Sequence, residues 1–161
     1  MKKAISLIII AFTLCVANAQ ELPNVKVQDH SNKTISTASL VDGKTPFIVS
    51  FWDTSCSPCI KEIDTFSECY PDWVEEVPFR IIIISIDDSR STGRARALVD
   101  GRGWSDFISL YDVNQDLKRA MNVVLTPQVF VFDKNGKQVY THTGYTPGSE
   151  EDLFDKVRKL K

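Results

Sequence analysis

The chain has 161 residues, 43% of them hydrophobic and 25% charged, a globular, water-soluble profile with room for one ordinary domain and not that of a disordered or membrane protein. Its net charge is −2, and without Lys2 and Lys3 the 19 basic residues fall to 17 against 21 acidic ones, or −4. That balance gives no electrostatic reason to bind nucleic acid or anionic lipid.

Lys2 and Lys3 precede an almost unbroken apolar run from Ala4 to Val16, and Ala17-Asn18-Ala19 places small residues where a signal peptidase reads. The pattern predicts a secretory signal over residues 1–19, cleaved after Ala19, and one domain from 20 to 161. The 13 residues of the run fall short of the about 20 that a helix needs to cross a bilayer. An uncleaved N-terminal membrane anchor is the alternative; a lipid on Cys15 is disfavoured by the bulky Phe12-Thr13-Leu14 before it. Export places the protein in the periplasm, where paired cysteines are normally oxidised.

Downstream, Leu22 to Leu40 suggests a short hairpin turning near Asp29-His30-Ser31-Asn32, whose Asn32-Lys33-Thr34 also matches a glycosylation sequon. Phe47 to Trp52 is a nearly continuous apolar run, as in a central strand buried on both faces. Ile60, Ile63, Phe66 and Tyr70 then recur at helical spacing, and Pro71 is expected to stop that helix. Phe79 to Ile86 reads as a second buried strand, followed by a helix over Thr92–Val99, a strand over Phe107–Tyr111 and a short helix over Asn114–Met121. Gln128–Phe132 is a third strong strand, and Asp133-Lys134-Asn135-Gly136 turns it into a hairpin with Lys137–Thr143. Ser149 is expected to cap a final helix carrying Leu153, Phe154, Val157 and Leu160. Strands that alternate with helices and close on a hairpin and helix imply an α/β fold: a mixed central sheet with helices on both faces.

After Ala19 three cysteines remain, Cys56, Cys59 and Cys69. An odd number with two only three apart suits a redox pair plus one spare thiol better than a framework of bridges. Cys56 begins a helix, where unpaired backbone N–H groups and the positive dipole end favour thiolate over thiol. Cys59, one turn in and more enclosed, is placed to resolve a mixed disulfide, and Pro58 stiffens the first turn at no hydrogen-bond cost. A structural bridge and half of a zinc site are the bland alternatives; zinc lacks further ligands, since Cys69, His30 and His142 have no ligand-like spacing. Glu62, three residues past Cys59, lies on nearly the same helix face and is either a proton donor and acceptor for it or a solvated glutamate. Cys69 lies about 20 Å along the helix from Cys56, out of reach, and reads as a buried, inert thiol. Arg90, Arg94, Arg96 and Arg102 read as a solvated basic face or a means of steering an acidic partner.

Phe51-Trp52 followed by Cys56-Ser57-Pro58-Cys59 resembles the W-x-x-x-C-x-P-C active site of the thioredoxin superfamily, and Thr126-Pro127 is similar to its cis-proline loop. Cys56 to Glu62, which fits C-x-P-C-x-x-E, the signal and the extra segment from about Arg90 to Tyr111 resemble the exported TlpA/ResA-type proteins. The resemblance implies a thioredoxin-like fold with a βα insertion before the cis-proline strand, and a thiol–disulfide oxidoreductase with Cys56 and Cys59 as a redox-active disulfide. It further implies that Pro127 is cis beside the cysteines and denies a metal or rival partner a donor, that Thr126 offers backbone groups to an extended substrate, and that Trp52 and Pro58 line the same place. Trp52 is otherwise ordinary core. Two positions depart from minimal thioredoxins: Ser50 stands where they keep a buried acid, which favours Glu62 for proton handling, and Ser55 stands where they have a tryptophan.

The expected activity is disulfide exchange with exported client proteins, apocytochromes among them, as a dithiol reductase fed by a membrane-embedded thiol reductant, without cofactor or metal. The same residues also serve an oxidase or isomerase. A thiol peroxidase of related fold and a non-catalytic binding domain with a structural disulfide are the alternatives from other classes.

Overall fold

The computed structural model describes residues 20–160. The signal over 1–19, its cleavage after Ala19 and Cys15 lie outside the described residues. Seven strands form one mixed sheet in the order β2-β1-β5-β4-β3-β6-β7. The strands are β1 (Lys26–Asp29), β2 (Thr34–Ser36), β3 (Phe47–Trp52), β4 (Arg80–Ser85), β5 (Ile108–Tyr111), β6 (Gln128–Phe132) and β7 (Gln138–Thr143). The helices are α1 (Ser57–Glu76), α2 (Thr92–Arg102), α3 (Asp116–Ala120) and α4 (Ser149–Arg158).

β3 runs parallel to β4 and antiparallel to β6, and all six of its residues are buried. That position follows from its sequence, because only a strand covered on both faces tolerates Phe-Ile-Val-Ser-Phe-Trp without a polar alternation. Ile48 and Trp52 join a cluster with Ile63, Phe66 and Trp73 of α1, Ala95 and Val99 of α2, and Phe154 of α4. Phe47, Val49 and Phe51 join the opposite cluster with Leu117 of α3 and Leu40 of a short 3₁₀ turn (Thr37–Leu40). The sheet is thus covered on both faces, as the order of elements implies.

Two local expectations are corrected. Pro71 does not end the first helix, which continues to Glu76. Its ring is exposed, so the cost is confined to the Ser67 carbonyl, which loses its N–H partner. The turn beyond is held by Trp73, 5% exposed and stacked on Phe154 with ring centroids 4.7 Å apart. Pro71→Ala should therefore raise stability by about 1–2 kcal/mol, read as a higher urea midpoint at unchanged slope. Ser149 is the first residue of α4 and not its cap. Gly148, at φ 99°, holds the cap position without a side-chain bond, and its N–H donates to the Glu150 carboxylate at 2.9 and 3.1 Å.

The described chain begins at the far end of the hairpin: the Gln138 N–H donates to the Gln20 carbonyl at 2.8 Å and the Leu22 N–H to Gly136 at 2.9 Å. The opposite end of the sheet, where β3 finishes and β6 starts, carries the cysteines.

Candidate active site

β3 delivers the chain to a tight turn, Asp53-Thr54-Ser55, which hands it to α1 at Cys56. Two carboxylates hold that turn. Asp53 Oδ1 accepts the Ser55 N–H at 2.9 Å and the Ser55 hydroxyl, while the Asp53 carbonyl accepts the Cys56 N–H at 3.1 Å. Asp87, buried just past β4, accepts the Thr54 N–H at 3.0 Å, the Thr54 hydroxyl at 2.7 Å and the Ser85 hydroxyl at 2.9 Å. Arg94 adds two bonds to the Thr54 oxygen, at 2.9 and 3.2 Å. Sequence reasoning missed this network: Asp53 and Thr54 counted only as spacers between Trp52 and Cys56, and Asp87 only as the end of a strand.

Cys56 is the N-cap of α1, and its Sγ accepts the Cys59 backbone N–H at 3.2 Å. The two cysteines are joined in a disulfide with Cα atoms 5.3 Å apart. Their exposure differs: Cys59 is fully buried at 0%, whereas Cys56 is half-buried between exposed Ser55 and Ser57. Pro58, in the first turn, is exposed beside them.

Thr126-Pro127 lies across the turn. The peptide bond is cis, Pro127 is buried and Thr126 half-buried, and the Thr126 hydroxyl donates to Asp53 Oδ2 at 3.1 Å. Register brings the loop there, since Gln128 at the start of β6 pairs with Phe51 near the end of β3. Of the two places open to Trp52, the structure gives the core. It is 1% exposed and packs edge-on against Trp104 at 5.4 Å, so it presents no surface to a substrate.

Glu62 is not solvated. It is 2% exposed, and Ser50, facing α1 from the middle of β3, donates its hydroxyl to Glu62 Oε2 at 2.8 Å. Desolvation pushes the Glu62 carboxyl up to about 8, with Glu150 adding to the rise and the Ser50 hydrogen bond opposing it. A small crevice of about 10 Å³, lined by Glu62, His142, Ser149 and Glu150, adjoins it with room for about one water.

Cys69 is half-buried, not fully enclosed. Burial and then the acidic neighbours Glu151, Glu150, Glu68 and Asp72 raise its pKa, which keeps it a protonated, poor nucleophile. Arg90, Arg94 and Arg102 are exposed and Arg96 is half-buried, so the stretch is a largely solvated face whose guanidinium groups are partly tied to the fold. Arg96 donates to the carbonyls of Asp29 and His30 at 2.7 and 2.6 Å and lies 3.8 Å over the Tyr111 ring. Arg102 pairs with Asp64 and Arg90 with Asp88.

Residues 19–141 match the AhpC/TSA family. The chain belongs to that family. It is 32% identical to thiol-disulfide oxidoreductase ResA of Bacillus thuringiensis over 88% of this chain and 77% of the relative. Among solved structures, a thioredoxin-like protein from Porphyromonas gingivalis matches with 45% identity and a TM-score of 0.77, covering 86% of this chain and 90% of that one. A thiol:disulfide interchange protein of DsbE type from Chlorobium tepidum shares the fold at 18% identity and a TM-score of 0.76, over 89% and 96% of the two chains. This AhpC/TSA family member is a thiol–disulfide oxidoreductase with a thioredoxin-like fold.

Proposed function

We propose that the protein is a dithiol reductase for disulfides of exported client proteins. The observation that carries this reading is the asymmetry of the pair: a half-exposed sulfur at a helix N-terminus, and its partner fully buried one turn behind. In the reduced protein the Cys56 thiolate attacks a client disulfide, forming one S–S bond while one client sulfur leaves and takes up a proton. Cys59 then attacks the mixed disulfide, its proton passing to Glu62, and the second client sulfur departs. Two electrons move from the Cys56–Cys59 dithiol to the client. A carboxyl titrating near 8 suits proton traffic at neutral pH. Thr126 and Pro127 position the incoming segment, with Pro58 at the rim.

The reducing direction is supported by what surrounds Cys56. Its Sγ takes one backbone hydrogen bond, and no Lys, Arg or His among the described residues bonds to it. A strongly stabilised thiolate makes an oxidant, because it stabilises the reduced form, and no cationic side chain adds to the helix end's effect at this sulfur. Export rests on the Lys2-to-Ala19 pattern, and no described helix is long and apolar enough to cross a membrane. The reaction then needs electrons from a membrane-embedded thiol reductant, and apocytochromes are one client class.

The direction is tested by equilibrating the pair against glutathione. A potential below about −200 mV is expected, between thioredoxin and the glutaredoxins. A value above about −150 mV would make the protein an oxidase, and peroxide consumption without insulin reduction would make it a peroxidase.

A further inference from the structure

The turn before Cys56 carries more negative charge than its shape requires. Asparagine and serine close such turns as well as aspartate does, yet two carboxylates are used. Asp53 takes the Ser55 N–H at 2.9 Å and the Thr126 hydroxyl at 3.1 Å. Asp87, only 7% exposed, takes the Thr54 N–H at 3.0 Å and the Thr54 hydroxyl at 2.7 Å. Arg94 meets the same Thr54 oxygen at 2.9 and 3.2 Å, so its charge is set against Asp87. Arg90 is set against Asp88 at 2.7 Å. On α1, Lys61 is exposed and Glu62 is bonded to Ser50, so neither answers the charge of the turn. Two carboxylates against one guanidinium leave a surplus of one negative charge beside the reactive sulfur. The helix end that favours the Cys56 thiolate is worth only about half a positive charge. The two effects act over similar distances. Thr54 and Cys56 are two residues apart, at most about 7.6 Å between Cα atoms, and the Cys56 N–H is bonded to the Asp53 carbonyl at 3.1 Å. Both carboxylates therefore lie roughly 10 Å from the sulfur, the screening length of 0.1 M salt.

We propose that Asp53 and Asp87 are the residues that hold the Cys56–Cys59 pair reducing, their charge opposing the thiolate that the helix end favours. This rests on the dithiol-reductase reading and names what sets its direction. Two electrons open the disulfide into two sulfurs, and ionisation of the one at position 56 stabilises the reduced form. Negative charge beside that sulfur takes part of the gain away. The dithiol then gives its electrons up more readily, and the potential is lower. Ser57 and Pro58, between the cysteines, carry no charge and supply no such effect. Asp53 and Asp87 are positioning residues: they hold the turn and act on the sulfur through space, and neither forms a bond in the exchange.

The test is the reduction potential at pH 7 against glutathione, for the wild type, D53N, D87N, the double variant, D53E, T54V and S85A. D53N and D87N should each raise the equilibrium constant for reduction of the pair about threefold to tenfold, or about 15 to 30 mV. The double variant should show near the sum of the two shifts. D53E, T54V and S85A alter the turn but keep both carboxylates, and their potentials should not move. Iodoacetamide trapping of the reduced proteins should place the pH midpoint for Cys56 about half a unit to one unit lower in both asparagine variants. The D53N shift should shrink in 1 M salt, where the screening length is about 3 Å. Potentials that stay or fall in both asparagine variants would overturn the proposal. An equal rise in T54V and S85A would overturn it too, because geometry and not charge would then set the potential. A low wild-type potential with unmoved variants sinks this inference alone. A wild-type value above about −150 mV, with both variants higher still, sinks the reductase reading and leaves the charge effect standing. Urea midpoints report the fold of each variant; should buried D87N not fold, half-buried D53N carries the test by itself.

Discussion

Cys56→Ser should abolish insulin reduction, whereas Cys59→Ser should leave a protein that attacks once and stops. The difference follows from exposure and from the order of the two sulfurs. Cys56 caps α1 with its Sγ turned to the first-turn N–H groups and partly open to solvent, so it alone can meet a client disulfide. Serine keeps the cap, since an oxygen there accepts the same N–H bond, but supplies no thiolate at neutral pH. Turnover should drop at least about a thousandfold, on the scale of losing an activated nucleophile. With Cys59→Ser the first exchange proceeds and the second cannot, and Cys69 lies too far along the helix to substitute. The mixed disulfide should accumulate as a covalent adduct on a non-reducing gel and by intact mass. Adducts on Cys59 in the Cys56→Ser protein, in place of adducts on Cys56, would reverse the assigned roles.

Glu62→Gln should alter both stability and rate, in ways that depend on pH. The native carboxyl titrates near 8 against an ordinary value of 4.5, chiefly because burial disfavours its charge. The native state therefore holds a proton that the unfolded chain releases across that interval. Stability consequently falls as pH rises from about 4.5 to about 8, and is insensitive to this group outside that window. Glutamine is nearly isosteric with the protonated acid and keeps a partner for Ser50. The oxidised variant should match the wild type near pH 5 and exceed it by a few kcal/mol at pH 9, measured by urea denaturation. Turnover should move the other way, down about tenfold to a hundredfold at pH 7, with the acidic-carboxyl limb gone from the pH–rate profile. Unchanged kinetics alongside the flattened stability curve would leave Glu62 a buried acid with no part in exchange.

The fold was legible because its strongest signals are the buried ones. Phe47–Trp52 and Gln128–Phe132 have no alternation to misread, and the Asp133-Lys134-Asn135-Gly136 turn sets the hairpin of Gln128–Phe132 with Gln138–Thr143. Pro71 misled because the rule that proline ends helices assumes nothing holds the next turn, and Trp73 stacked on Phe154 does so from 81 residues away in sequence. The cysteine pair was visible from its spacing on one helix, and Glu62 from its place one turn past Cys59, whereas its hydrogen bond from Ser50 appears only in the fold. The bonds of Asp53 to Thr126 and of Asp87 and Arg94 to Thr54 were not visible, because those partners sit on separate elements and only the folded register brings them together. Trp52 could not be assigned between rim and core until Trp104, from beyond α2, was seen against it.

Gln20 is tied beside Gln138, through the Gln138 N–H to the Gln20 carbonyl at 2.8 Å. Gln138 pairs with Phe132, which faces Phe47 at the start of β3, while the disulfide follows Trp52 at its finish. Six residues of strand, about 20 Å at 3.3 Å each, separate the two poles. A surface coupled at Gln20 would therefore leave the pole that carries Cys56 open to arriving substrates.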